Sequence, residues 1–238
     1  MLLALWSPKG GSGTSVLVAA CSLVLARDLA SGPAARIVDL GGDQPAVFGL
    51  AADPELGALD WLGAGPEAPV EALERLLVEV APGVALLPRG GAPVLAPVAA
   101  AEAGAALAVA LRDGPVVTIV DCGLGAEPAS RAVAEVADAA VVVVRGCYLA
   151  LRRAVRSPLL ARTTGAVLVE EPGRSLSARE VAEVLDVPVL ARVPVRAAIA
   201  RAVDAGVLAT RLPEPLARAA GDLLHRTGAP GTRRGAAA

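Results

Sequence analysis

With 238 residues, 55% of them apolar but only 2% aromatic, the chain is long enough for one sizeable α/β domain with an aliphatic core of Ala, Val and Leu. A formal charge of −2 excludes a bulk electrostatic pull towards nucleic acid or anionic lipid. The longest apolar tract, about 94–111, contains Pro97 and Glu102 and reads as a buried or half-buried helix rather than a membrane span.

In chain order, short β-rich runs alternate with helical ones. "LLALW" (2–6) is a strand that leads through a glycine loop to an apolar helix, about 14–30. "ARIVDL" (35–40) is the next strand, followed by a loop with Gly41, Gly42, Asp43 and Pro45. A helix near 70–79 precedes the strand "GVALLP" (83–88), and the alanine-rich helix, about 94–112, precedes "PVVTIVDC" (115–122). A helix near 128–137, the strand "AAVVVVR" (139–145) and a helix through "LALRRAVRSPLLAR" (149–162) come next. "GAVLVE" (165–170), a helix from Ser177 to Leu185, "VPVLARV" (187–193) and helices near 196–205 and 213–225 complete the pattern.

Several strands are continuous Val, Leu and Ile runs, as a parallel sheet covered on both faces requires. The expected fold is therefore α/β, a doubly wound, mostly parallel sheet with right-handed crossovers and helices on both faces. Residues 1–225 are expected to form a single domain, and 226–238, without apolar periodicity, a disordered tail. Residues 1–6 lack the basic leader and length of a secretory signal. Cys21, Cys122 and Cys147 are scattered without metal spacing and read as reduced packing thiols, which implies a cytoplasmic protein. The only histidine, His225, closes the last helix and reads as a cap or a solvated side chain.

In a doubly wound sheet, ligands bind at the carboxyl ends of the strands. "PKGGSGTS" (8–15) lies there, between a strand and a helix. Gly10, Gly11 and Gly13 free backbone N–H groups to wrap an anion, and the following helix N-terminus adds a favourable dipole. Ser15 stands where a phosphate loop places its Mg²⁺-binding hydroxyl. Among 22 basic residues lysine occurs only at Lys9, on the rim of this loop. A compact ammonium suits a crowded phosphate site better than a planar guanidinium does. Asp39 and Asp121 each end an apolar strand at the ligand edge, where a carboxylate is costly unless paired or near a cation. Arg145 ends another strand at that edge and is a candidate cation for the same site. Arg152, Arg153, Arg156 and Arg162 form a basic stretch, read either as a solvated helix face or as a surface for phosphate contacts.

Lys9-Gly10-Gly11-Ser12-Gly13-Thr14-Ser15 resembles the deviant Walker A motif of the MinD/ParA ATPases, usually KGGxGK[ST]. The resemblance implies ATP and Mg²⁺ as ligands and a nucleotide-sandwich homodimer in which Lys9 reaches the partner's phosphates. The second lysine, which contacts phosphate in cis, is Thr14 here. "RIVDLGGDQPAVFGL" (36–50) resembles the family's second strand and switch loop. Asp39 matches its first aspartate, Gly41 stands in place of the second, which orders the attacking water, and Asp43 is the nearest substitute. "VVTIVDCGLG" (116–125) resembles the Walker B strand, so Asp121 matches the residue that holds Mg²⁺ through water. "LSAREVAEVLDVPVLARVPVRAAIARAVDAG" (176–206) resembles the late region whose nucleobase pocket would involve Pro194 and Val195. With Gly10 to Ser15 around the phosphates, Arg145 reads either as the cation that restores the charge missing at Thr14, in cis or across a dimer, or as a surface arginine at a strand end.

Losing both the cis lysine and the second switch carboxylate implies slow or absent hydrolysis. Three readings follow: a slow ATP-dependent dimer switch that positions a cellular assembly, a non-hydrolysing scaffold like the pilus-assembly CpaE/TadZ branch, or a DNA-associated partition ATPase using Arg152, Arg153 and Arg156. Each implies a protein partner that the sequence does not identify. A MinD-type membrane anchor is not expected, because "GTRRGAAA" lacks the bulky apolar residues of an amphipathic anchor.

Overall fold

The computed structural model describes residues 1–28 and 35–230. The expected tail falls outside the described residues from 231 onward, and the end of the first helix beyond Asp28 does likewise. The strands are β1 (Leu2–Trp6), β2 (Ala35–Asp39), β3 (Val78–Ala81), β4 (Val84–Leu87), β5 (Val117–Asp121), β6 (Ala139–Arg145), β7 (Gly165–Glu170) and β8 (Val189–Pro194). The helices are α1 (Thr14–Asp28), α2 (Gln44–Val47), α3 (Ala58–Gly63), α4 (Val70–Glu74), α5 (Pro97–Arg112), α6 (Pro128–Val136), α7 (Tyr148–Val155), α8 (Ala178–Leu185), α9 (Ala197–Asp204) and α10 (Glu214–Arg226).

The strands form one open eight-stranded sheet in the order β3-β4-β2-β5-β1-β6-β7-β8. Every neighbouring pair is parallel except β3 and β4. β1 explains why its five residues are all apolar: Leu3 and Leu5 face one core, while Leu2, Ala4 and Trp6 face the other. The first core is closed by α1, α2, α9 and α10, the second by α3 to α8. The strand order reverses around β1, so the loop after β1 opens at the point where crossovers leave in opposite directions, which is where α/β sheets hold ligands.

Local chemistry sets the helix boundaries. Proline occupies the first turn of α2, α5, α6 and α10, where its missing N–H costs nothing. The Ser177 hydroxyl accepts from the Glu180 N–H, and the Glu180 carboxylate accepts from the Ser177 N–H, a capping box that starts α8.

Two expected helices come out differently. The segment near 70–79 is helical only over α4; Val78 and Val80 instead join β3, which turns at Pro82-Gly83 into β4 as an antiparallel hairpin. Gly83 sits at φ 74°, a conformation that favours glycine. The long helix over 149–162 breaks into α7 and a 3₁₀ turn at Pro158–Arg162. Pro158 has no N–H to continue the ladder, and Ser157 caps the new turn by accepting from the Leu159 N–H. Among the described residues, no helix is long and apolar enough to cross a membrane.

Candidate phosphate-binding cleft

Residues Ser7 to Gly13 link β1 to α1 as an irregular loop folded back on itself. The Ser7 N–H donates to the Gly123 carbonyl at 2.9 Å, tying the loop to the end of β5. The hydroxyls of Ser7 and Ser12 both donate to the Lys9 carbonyl, at 3.1 and 2.7 Å, so the turn is held by its own side chains. Gly11 and Gly13 adopt φ 74° and 83°, and a Cβ placed on Gly10, Gly11 or Gly13 would meet nothing within 4 Å. The glycines therefore border open space, while Ser12 and Thr14 are buried. The Thr14 hydroxyl is buried without a hydrogen-bond partner, which is unusual for a native polar group.

The loop borders a cleft of about 860 Å³ whose walls include Asp43, Arg89, Cys122 to Glu127, Val203 and Asp204. A smaller cavity of about 210 Å³ adjoins it, lined by Gly11 to Gly13, Arg145, Pro194, Val195 and Ile199. The two share Gly11 to Gly13, Val16, Val203 and Asp204. Lys9 does not line either; it is half-buried at the rim and its ammonium makes no hydrogen bond or ion pair with a described residue.

Beneath the cleft, Asp39 and Asp121 stand opposite each other in register at the ends of β2 and β5, both fully buried. Asp39 accepts from the N–H groups of Gly42 at 2.6 Å and Gln44 at 2.9 Å. Burial pushes its carboxyl up to about 6; those two N–H groups oppose the shift, and the Asp121 and Asp43 charges add to it. Burial also raises the Asp121 carboxyl above its ordinary value, against the Ser15 hydroxyl, the Gln44 amide and the Gly123 N–H. The Cys122 thiol is pushed up by burial and by the adjacent Asp121, so it is an inert packing group, as is buried Cys21. Cys147 is half-buried and free.

Gln44 is the residue that sequence reasoning missed in this layer. Fully buried, its amide Nε2 donates to Asp121 Oδ2 at 2.8 Å and to the Ser15 carbonyl at 3.0 Å. Its Oε1 is left without a partner. Ser15 Oγ is 3.5 Å from Asp43 Oδ2, so the exposed Asp43 leans over the start of α1 from the loop after β2. At Gly41 a Cβ would lie 3.3 Å from Asp121 Oδ1, so the site leaves little room for a side chain there. The only signal for Gln44 was its place directly after Asp43 in the switch-like segment.

Arg145 lies beside the smaller cavity rather than over Ser15 and Asp121. Its Nη1 donates to Glu171 Oε1 at 2.7 Å, Glu171 also pairs with Arg174, and the Arg145 Nε is buried without a partner. Arg152, Arg153 and Arg156 are exposed and have no acidic partner among the described residues. His225 is exposed at the end of α10. Gly49, just past α2, and Gly206, just past α9, touch backbone to backbone: a Cβ on Gly49 would lie 2.4 Å from the Gly206 carbonyl oxygen.

The site fits a polyphosphate with Mg²⁺. Open glycines, the N-terminus of a 15-residue helix and an orphaned Thr14 hydroxyl suit phosphate oxygens. No group of three His, Cys, Asp or Glu among the described residues converges as a metal site. Ser15 and Asp121 alone suit Mg²⁺, which keeps several waters and takes its other ligands from phosphate.

No family model matches the chain, and no curated protein matches it significantly. Solved structures do. A ParA family ATPase from Chlorobium tepidum TLS superposes with a TM-score of 0.74 at 19% identity, covering 92% of this chain and 95% of that one. MinD in the MinC:MinD complex of Aquifex aeolicus gives 0.74 at 20% identity, covering 94% of each chain. MinD of Pyrococcus horikoshii OT3 complexed with Mg-ADP gives 0.73 at 20%, covering 94% of both. With its eight-stranded open sheet, its loop after the central strand and this likeness over almost the whole chain, the protein has the P-loop NTPase fold of the MinD/ParA ATPases.

Proposed function

We propose that this chain is a cytoplasmic MinD/ParA-like nucleotide-binding protein that takes ATP with Mg²⁺, dimerises in that state and positions a cellular assembly, with slow or absent hydrolysis. The observation that carries this reading is the open glycine cradle before α1, with its buried, partnerless Thr14 hydroxyl and the Ser15–Asp121 corner beneath. In this reading Gly10 to Ser15 hold the phosphates, Ser15 and Asp121 hold Mg²⁺, and Pro194 and Val195 border the base. Mg²⁺ would neutralise phosphate charge.

The residues of the chain do the rest. Thr14 donates a neutral hydroxyl where a lysine would bring a charge. Asp39 fixes the loop after β2 by accepting from Gly42 and Gln44, which sets Asp43 above Ser15. Asp43 is the carboxylate on hand to orient a water. Lys9, outside its own cleft and unpaired, is free to serve a partner's phosphates. Titration with a fluorescent ATP analogue tests the reading: binding should require Mg²⁺ and weaken about tenfold in Ser15→Ala, the loss of one charge-linked contact. Sizing should show a dimer with ATP that disappears in Lys9→Ala. Absence of binding at millimolar nucleotide would refute the proposal.

A specific observation favours a non-hydrolysing, CpaE/TadZ-like scaffold as the second reading. Gly41 offers no carboxylate, Gln44 occupies an oxygen of Asp121, and no lysine enters the cleft. ATP binding without phosphate release would support it. The unpaired Arg152 and Arg153 of α7, with Arg156 just past its end, keep the DNA-associated reading available; it requires salt-dependent DNA binding that falls when all three are changed to Ala.

A further inference from the structure

The large cleft is short of positive charge. Among the described residues its walls carry the carboxylates of Asp43, Glu127 and Asp204, Lys9 is outside it, and its one cationic side chain is Arg89. Beyond Mg²⁺, the helix dipole and a partner's Lys9, a cation from the chain itself would hold a nucleoside triphosphate in such a cleft more tightly.

Arg89 is built to stay there. It follows β4 at the carboxyl edge, and its backbone is clamped by α3: the Ala58 N–H donates to the Pro88 carbonyl at 2.7 Å and the Leu59 N–H to the Arg89 carbonyl at 2.9 Å. Gly57 packs so closely that a Cβ on it would lie 2.1 Å from the Pro88 oxygen. From this anchor the side chain crosses the end of β2, its Cδ 3.3 Å from where a Cβ on Gly42 would be. Nη1 donates to the Leu40 carbonyl at 2.6 Å, and Nη2 reaches Glu127 Oε1 at 3.3 Å. The Leu40 bond holds the arm, whereas the single long contact to half-exposed Glu127 is a weak one. A guanidinium is planar and has five N–H donors, so most of its fork remains for a bidentate acceptor such as two oxygens of a phosphate.

The geometry points to Arg89 as the cis cation of this site: on nucleoside triphosphate binding its guanidinium exchanges Glu127 for the terminal phosphate, supplying the charge that Thr14 lacks. This rests on the nucleotide reading above. The terminal phosphate is singled out by the strand order β4-β2-β5-β1, which sets Arg89 about 14 Å from the P-loop strand at ~4.8 Å per strand. An arginine spans only part of that gap, so the phosphate farthest from the loop's glycines is the one within its reach.

The test compares affinities for a non-hydrolysable ATP analogue and for ADP, each with Mg²⁺, in the full chain. Arg89→Ala should weaken the triphosphate about 10- to 100-fold, the range of a lost charged hydrogen bond, and ADP less than threefold. Arg89→Lys should recover part of the loss, and Glu127→Gln should tighten the triphosphate about threefold without changing ADP. Equal effects on both nucleotides, or a triphosphate change under threefold, would overturn the role of Arg89 while leaving nucleotide binding by the wild type intact. Failure of the wild type to bind either nucleotide would overturn both. If Arg89→Ala does not fold, Glu127→Gln decides: unchanged or weakened triphosphate binding overturns the inference.

Discussion

Replacing Gln44 with methionine keeps the length and apolar bulk of the side chain and removes its amide. Two hydrogen bonds vanish, one to the Ser15 carbonyl and one to the buried Asp121 carboxylate. The first is worth about 1 kcal/mol and the second, to a charged acceptor, about 1.5–3 kcal/mol. The orphaned Gln44 Oε1 offsets a little of this, because its own burial penalty disappears with it. The net expectation is a loss of about 2–3 kcal/mol at pH 7 without nucleotide, or a midpoint about 5–10 °C lower for a chain of this size. The loss should shrink at a more acidic pH, because burial raises the Asp121 carboxyl and a protonated Asp121 depends less on the amide. Urea unfolding of both proteins at the two pH values measures it. A difference under about 0.5 kcal/mol at both pH values would show that the amide does not hold the switch loop to Asp121.

Asp39 makes the nucleotide-free protein pH-sensitive. Its folded-state value of about 6 lies above the ordinary 3.8, so its stabilising contribution is complete below pH 3.8 and is lost as pH rises through about 6. The shift corresponds to about 3 kcal/mol, and the fall in unfolding free energy between pH 4.5 and 7.5 should be shallower in Asp39→Asn. Arg145→Ala should change ATP affinity by less than about threefold, because Glu171 already pairs with Arg145; a loss comparable to that of Arg89→Ala would restore Arg145 as the main cation. Gly49→Ala should be far more damaging than Gly13→Ala. The latter strains only a left-handed turn in open space, costing about 1 kcal/mol, while the former also drives a Cβ into the Gly206 backbone. Thermal melts of equal height for the two would refute the contact.

What was legible in the sequence follows what was encoded locally. β1 and β6 up to Val144 are unbroken apolar runs, and β5 is interrupted only by Thr118 before its closing Asp121, so their burial on both faces could be read directly, and the glycine loop after β1 announced the ligand edge. The hairpin of β3 and β4 was hidden because "VEALERLLVEV" also satisfies a helical period, and only the Pro82-Gly83 turn breaks it. Pro158 likewise divides a helix whose alanine and arginine content favours continuing. At the cleft, the positions of Asp39, Asp121 and Ser15 were legible because they end strands or begin a helix. Gln44 and Arg89 were not. Their places beside the cleft come from the strand order, which sets β2 between β4 and β5, and that order has no mark in the local residue pattern.

The solitary lysine has a practical consequence. The chain holds a single ε-amine, half-buried at the rim of the loop before α1. An amine-directed reagent therefore has one side-chain target, and its uptake there, mapped to the peptide that carries Lys9, reads the surroundings of that residue without mutation or an added tag.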